Sequence, residues 1–279
     1  METTETAGSP GVRVDELERQ LLAAIDRGDY KPGGRLPPIS DLAVEWETHK
    51  NTVSKVIQRL KTMGVLTGAQ GGTTRVRIQP ERIVRRQPER YREEKRSALL
   101  PDGERGQIGA TELDTGLSKS DLSFAPTVRS IEPADDEQAA LFGVAPGTQL
   151  LARQYYTRAR NSERLLGNGK SYLLHSVAER NPALLNESDK PWEGGTMHQL
   201  LTVDAEPAYV VDRVTVRPPR PEEAEALAIQ AGVSVFVFRK LTYDANDQLL
   251  EYSDFVLPGD ITELVYRVDL PTWKEGTDA

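Results

Sequence analysis

Residues 33–66 read GGRLPPISDLAVEWETHKNTVSKVIQRLKTMGVL, and the spacing of apolar residues in this stretch decides the fold of the N-terminal part. Pro37 and Pro38 introduce a short helix whose inward positions are Ile39, Leu42, Ala43 and Trp46. A second helix follows Thr48, with Val53, Val56, Ile57, Leu60 and Met63 on one face and Gly64 as its C-terminal stop. Only Glu47, Thr48 and at most His49 separate the two helices, which forces a sharp helix-turn-helix crossing. Upstream, Val14, Leu17, Leu21, Leu22 and Ile25 follow helical spacing as far as Gly28. Downstream, Val65–Thr67 and Arg75–Ile78 are short β-like runs around the glycine-bearing turn Gly68–Thr74. Three helices and a hairpin make a winged helix-turn-helix over residues 12–78, behind a small, polar, acidic segment 1–11 expected to be a disordered tail.

Residues 79–120 carry many charges and few apolar anchors and read as a linker, with a helical piece near Arg90 to Leu100. A second domain is expected over 121–271, followed by a tail at 272–279. Pro133 starts a helix carrying Ala139, Ala140, Leu141 and Phe142, which Gly143 ends. Strand-like runs follow at Leu150–Arg158, Ser171–Ala178, Tyr209–Val216, Val233–Tyr243 and Leu249–Leu257, with helices at Met197–Leu201 and Glu222–Gln230. Ala245–Asp247 joins the last two strands as a hairpin, which favours an antiparallel sheet with helices on one side, so the fold class is α+β: a winged helix-turn-helix followed by a mixed, mainly antiparallel sheet domain with helices.

The chain has 279 residues, a net charge of −8 and no cysteine, which removes disulfide scaffolds, cysteine-based zinc sites and thiol nucleophiles. The acidity is unevenly placed. Residues 1–100 hold 18 Lys+Arg against 14 Asp+Glu, residues 101–279 hold 17 against 29, and the window 50–96 holds 13 against 4. A basic module attached to an acidic one is the pattern of a nucleic-acid binder with a second function. No stretch is apolar enough to cross a bilayer and the first residues lack a signal-peptide pattern, so a cytoplasmic location with no membrane partner is expected.

A helix reads the major groove only if its outward face offers polar and cationic groups near its N-terminus while the other face is buried. His49, Lys50, Asn51, Thr52, Ser54 and Lys55 meet that requirement. Lys50 suits guanine acceptors and Asn51 the adenine donor–acceptor pair; Thr52, Ser54 and Lys55, with Arg75 and Arg77 from the wing, suit phosphates. Gly33-Gly34-Arg35-Leu36-Pro37, Leu42-Ala43, Thr52-Val53, Arg59-Leu60 and Met63-Gly64-Val65-Leu66 together resemble the N-terminal domain of GntR-family transcription regulators. The resemblance implies DNA contacts from Arg35 and from the wing residues Gly71, Gly72 and Thr73 as well. The chain departs from the family at Ile39-Ser40, where a charged pair with a DNA-contacting arginine is common. It also departs at His49, Lys50 and Ser54, and at the wing sequence Gly71-Gly72-Thr73-Thr74.

Leu141-Phe142-Gly143-Val144 with Gly147, then Leu151-Ala152-Arg153, Ser171-Tyr172, Leu250-Glu251-Tyr252-Ser253 and Gly259-Asp260 resemble the UTRA domain of the HutC subfamily. That resemblance implies a small anionic or polar effector on the sheet, with Arg153, Tyr155, Ser171, Tyr172, Arg213, Glu251 and Ser253 as the candidate contacts. A charge on an apolar strand is costly unless it is paired, so Arg153 and Glu251 face either a ligand or each other. Here Pro258 stands where the family often has an arginine.

The expected function is a homodimeric regulator, a repressor by family habit, leaving a palindromic double-stranded DNA operator when a small-molecule effector binds. The alternative is a UTRA-like domain used for dimerisation only. No cofactor, metal or catalytic residue is expected. His175, on an expected strand, and His198, on a short helix, have no cysteine or carboxylate cluster beside them. Gly71-Gly72 lacks the Gly-Lys-Ser/Thr of a phosphate loop, and the basic run Arg82 to Arg96 is broken by Glu89, Glu93 and Glu94. The UTRA fold resembles that of chorismate lyase, but a fold carries no activity by itself.

Overall fold

A computed structural model of the chain describes residues 10–68, 72–105, 122–124, 128–159, 164–186, 192–230 and 232–270. It divides into two units, Met1–Pro80 with Ile229–Val233, and Glu81–Ala228 with Ser234–Ala279.

In the first unit α1 (Pro10–Asp26), α2 (Ile39–Glu45) and α3 (Lys50–Thr62) precede the wing strands β1 (Leu66–Thr67) and β2 (Arg75–Val76). The apolar spacings converge on one core. Val14, Leu17 and Leu21 of α1, Leu42 and Ala43 of α2, and Val53, Val56, Ile57 and Leu60 of α3 are buried with Leu36, Leu66 and Val76. Gly64 (φ 73°) supplies the left-handed residue that ends α3. Met63, expected inside, is exposed. The wing gains a third edge: Arg35 bridges Arg75, and the Leu36 amide donates to the Thr74 carbonyl at 2.9 Å. The helix begins at Pro10, inside the segment expected to be a tail; residues 1–9, 106–121 and 271–279, where the tails and part of the linker were expected, lie outside the described residues.

The second unit opens with β3 (Ile83–Arg86) and α4 (Gln87–Ala98), so this part of the expected linker is ordered structure of that unit. β3 pairs in parallel with β11 (Thr262–Val265). The charges of α4 are largely engaged: the Tyr91 hydroxyl donates to Asp212 at 2.8 Å, Lys95 donates to the Pro207 carbonyl at 2.6 Å, and Gln87, Glu94 and Ala98 are buried. This is the helical piece expected near Arg90 to Leu100; because it docks through polar contacts it lacks the apolar stripe that would mark it as part of a folded unit.

The remaining strands are β4 (Leu122–Phe124), β5 (Val128–Pro133), β6 (Gln149–Ala159), β7 (Leu165–Leu174), β8 (Tyr209–Arg217), β9 (Val235–Tyr243) and β10 (Leu249–Pro258). They form one sheet in the order β4-β6-β7-β10-β9-β8, with β5 also pairing with β6, and every pairing is antiparallel. One face packs on α5 (Asp136–Phe142) through Ala139, Phe142, Leu150, Leu241, Leu249 and Tyr252. The other packs on α6 (His175–Ala178), a 3-10 turn (Pro182–Leu184) and α7 (Gly195–Leu201) through Leu151, Leu173, Ala178, Leu184 and Leu200. Helices therefore cover both faces, not one side as expected, because apolar residues alternate to both sides of the central strands.

Strand β7 runs six residues ahead of its expected start, through Gly167 and Gly169, and stops four residues short at Leu174, so His175 lies on a helix. The glycines serve packing: a Cβ on Gly169 would collide with the Phe255 ring and one on Gly167 would sit 2.9 Å from Leu257. The helix expected at Glu222–Gln230 is only α8 (Pro221–Ala226), where Glu223 turns back to Arg217 at 2.6 Å. At α5 the Asp135 carboxylate accepts from the Gln138 amide at 2.8 Å, and Gln138 accepts in return from the Asp135 amide at 3.1 Å. Asp135→Ala is expected to lower stability by about 1 kcal/mol, read as a lower urea midpoint at unchanged slope.

Candidate functional site

Each unit presents a candidate site. In the first, α3 exposes Lys50, Asn51, Ser54, Lys55 and Gln58, with Thr52 half-buried. Its N-cap is His49, exposed and without a side-chain cap hydrogen bond, so its own side chain satisfies none of the first-turn amides. A 13-residue helix with an uncapped N-terminus offers these donors, and the positive end of its dipole, to an anion. Lys50 and Ser54 line an open groove with Gly72 and Thr73 of the wing turn and Ser40 of α2. Gln58 and Lys61, not among the expected contacts, line it too. They continue the outward stripe at four- and seven-residue steps from Ser54, a periodicity that could have found them. Lys61 donates to the Gly68 carbonyl at 2.9 Å.

Arg35 is exposed, whereas half-buried Arg75 donates to the Gly33 carbonyl at 2.9 Å. Arg77, expected at the wing surface, is instead buried. Gly71 lies outside the described residues. Arg59 is tied to Asp15 and Glu18 of α1, whose carboxylates raise its pKa.

The second site is a polar row inside the sheet. Directly opposite residues of antiparallel strands share a face, and Arg153, Ser171, Ser253 and Lys240 stand opposite one another across β6, β7, β10 and β9. Glu251 and Thr242 lie two residues along, on the same face. Arg153 donates to Glu251 at 2.7 Å, Lys240 lies 2.7 Å from the other carboxylate oxygen, and all three are at most 3% exposed. Gln199 of α7 accepts from Arg153. Burial pushes the Glu251 carboxyl up, but Lys240 and Arg153 outweigh it and, with a hydrogen bond from Thr196, hold it below its ordinary range. Of the two settings open to Arg153 and Glu251, the pairing with each other is formed. The hydroxyls of Ser171, Ser253, Thr242 and Tyr155 are buried there without a hydrogen-bond partner.

Tyr172 and Arg213 do not join this group. Neighbours along a strand point to opposite faces, so Tyr172, next to Ser171, lies on the other face, stacked on Tyr252 at 5.5 Å. Arg213 stands opposite Arg239 on that same other face and is exposed. Sequence reasoning missed Lys240, although the charged pair Arg239-Lys240 in the otherwise largely apolar Val235–Tyr243 is a signal like the one that drew attention to Arg153. Gln199 carried no such signal. α7 is held from α4, where buried Glu94 accepts from the Thr196 and Met197 amides at 3.0 and 3.3 Å.

Residues 13–76 match the family described as bacterial regulatory proteins, gntR family, and residues 127–263 match the UTRA domain. An uncharacterised HTH-type transcriptional regulator of Streptomyces coelicolor is 25% identical over 261 residues, 92% of each chain. Another, from Rhizobium meliloti, is 24% identical over 244 residues, 85% of this chain and 87% of its own. A crystal structure described as that of a GntR-family transcriptional regulator superposes with a TM-score of 0.67 at 19% identity, covering 95% of this chain and 99% of the other; at that identity the likeness is one of fold. The two family matches fall on the two units in the order the fold displays them, and the chain belongs to the GntR family of transcriptional regulators, with a UTRA effector-binding domain behind its winged helix, the architecture of the HutC subfamily.

Proposed function

We propose that this regulator is a cytoplasmic, homodimeric repressor that occupies a palindromic operator and leaves it when a small molecule binds beneath α7. Lys50 and Asn51 read base edges. His49, Thr52, Ser54, Lys55, Arg35 and the wing position the helix on the phosphates. The effector meets the polar row, where Ser171 and Ser253 give it hydroxyls and Arg153 and Glu251 give it charge. A ligand that prefers the arrangement unsuited to the operator lowers operator affinity by its differential affinity for the two states.

The observation that carries this reading is the set of buried hydroxyls without partners around a buried ion cluster. Unmet buried polar groups cost stability, and a ligand would satisfy them. Ser171→Ala and Ser253→Ala are therefore expected to leave folding stability unchanged or slightly raised while weakening operator release. Release is measured on a promoter fragment retained by the full chain, with the small molecules handled by the adjacent genes as ligands. Release unaltered in both variants would favour a domain used for dimerisation alone.

A further inference from the structure

Helix α7 is held by α4 and by the turn that follows α4. Gly194 (φ 81°) and Gly195 (φ 63°) carry left-handed backbone at its start, and buried Glu94 takes up its first amides. Further along the helix, half-buried His198 stands between two groups. The Trp192 indole donates to its Nδ1 at 2.8 Å, with the two rings 6.1 Å apart, and the Arg105 guanidinium lies 2.6 Å from its Nε2. Arg105 is itself fixed. Its Nε and Nη2 donate to the Leu100 carbonyl at 3.0 and 2.9 Å, and Asp102 pairs with it at 2.8 Å. Its stem fills the space at Gly194, where a Cβ would lie 2.6 Å from the Arg105 Cδ.

Indole and guanidinium groups only donate, and a neutral imidazole has one nitrogen lone pair to offer them. A second proton on the ring removes that lone pair, so that donors face donors at both nitrogens and one cation faces another. Burial, and then the charge of Arg105, push the His198 pKa below its ordinary 6.5, against the opposite pull of the Glu193 carbonyl and the carboxylates of Asp102 and Glu193. From α4, Glu94 faces the first turn of the helix, its carboxylate accepting from the Thr196 and Met197 amides. The residue after His198 is Gln199, which accepts from Arg153 of the polar row, so a displaced α7 takes a partner away from that row.

We propose that His198 is an acid-sensitive catch on α7: neutral, it keeps the helix on Trp192 and Arg105 and over the polar row; protonated, it releases the helix, and Gln199 leaves Arg153. The hold is fully present above the ordinary histidine value of 6.5 and is lost as pH falls from there through the folded-state pKa. The inference adds a proton as an input to this domain. It stands whether or not a small molecule acts on the same helix.

The test is the tryptophan fluorescence of the full chain, followed from about pH 8 to about pH 5 and taken as the difference between wild type and Trp192→Phe, because a protonated imidazole quenches an indole beside it. The difference is expected to fall with a midpoint below 6.5, and Arg105→Gln is expected to move that midpoint upward. Hydrogen exchange reads the release. After correction for the intrinsic effect of pH, the amides of residues 196–201 should exchange several-fold faster at about pH 5 than at about pH 7.5 in wild type. In His198→Gln, whose side-chain oxygen still accepts from Trp192, the corrected rates should be alike at both. No transition, a midpoint at or above 6.5, or a midpoint unmoved by Arg105→Gln would overturn the catch. Quenching without faster exchange, or the same acid response in His198→Gln, would overturn the release of α7.

Discussion

Glu251→Gln is expected to destabilise the second unit by about 3–5 kcal/mol, the cost of removing one member of a buried ion cluster and leaving the others uncompensated. Here two cations are left, because Arg153 and Lys240 both face this carboxylate. Urea unfolding followed by circular dichroism measures the loss as a shift in midpoint. The cluster differs from a good apolar core: replacing Arg153, Lys240 and Glu251 together by Leu, Met and Leu is expected to cost less than Glu251→Gln alone. A small loss in the single variant would show that the cluster is hydrated in solution.

The same cluster gives an acid-side dependence. The folded-state pKa of Glu251 lies below its ordinary value of 4.5. Its contribution is therefore fully present above that value and is lost as pH falls through the folded-state pKa. Wild type should lose stability below about pH 4.5 through this group, and Glu251→Gln should lack that component.

On the DNA side, Lys50→Ala and Asn51→Ala are each expected to weaken specific operator binding by about 1–3 kcal/mol and to narrow the gap between operator and random DNA. Lys55→Ala, at a position suited to phosphate, should weaken binding to every sequence alike and reduce the salt slope by about one. The contrast separates base reading from charge. Unchanged discrimination in the Lys50 and Asn51 variants would remove them from the recognition surface.

The first unit was legible because its elements obey one rule each: inward residues at helical spacing, glycine at Gly64, and a turn too short for anything but a sharp crossing. The second unit was legible where strands are apolar and blurred where packing sets the sequence. Gly167 and Gly169 look like a turn until Phe255 and Leu257 occupy the space above them. Segment 83–98 looks like a solvated linker until Asp212 and the Pro207 carbonyl accept from it and the amides of α7 donate to its Glu94. Strand alternation, available from sequence, would have separated Ser171 from Tyr172. The pairing that places Lys240 beside Ser253 is a matter of register between distant strands, which no local pattern encodes.

Selection of genomic fragments by the full chain, followed by footprinting of those retained, shows whether the winged helix reads a palindromic operator. The expected result is a protected site of two inverted half-sites, spaced by one helical turn or a multiple of it, with affinity that falls steeply with salt yet still exceeds that for random DNA. Retention of all fragments alike at every salt concentration would contradict it.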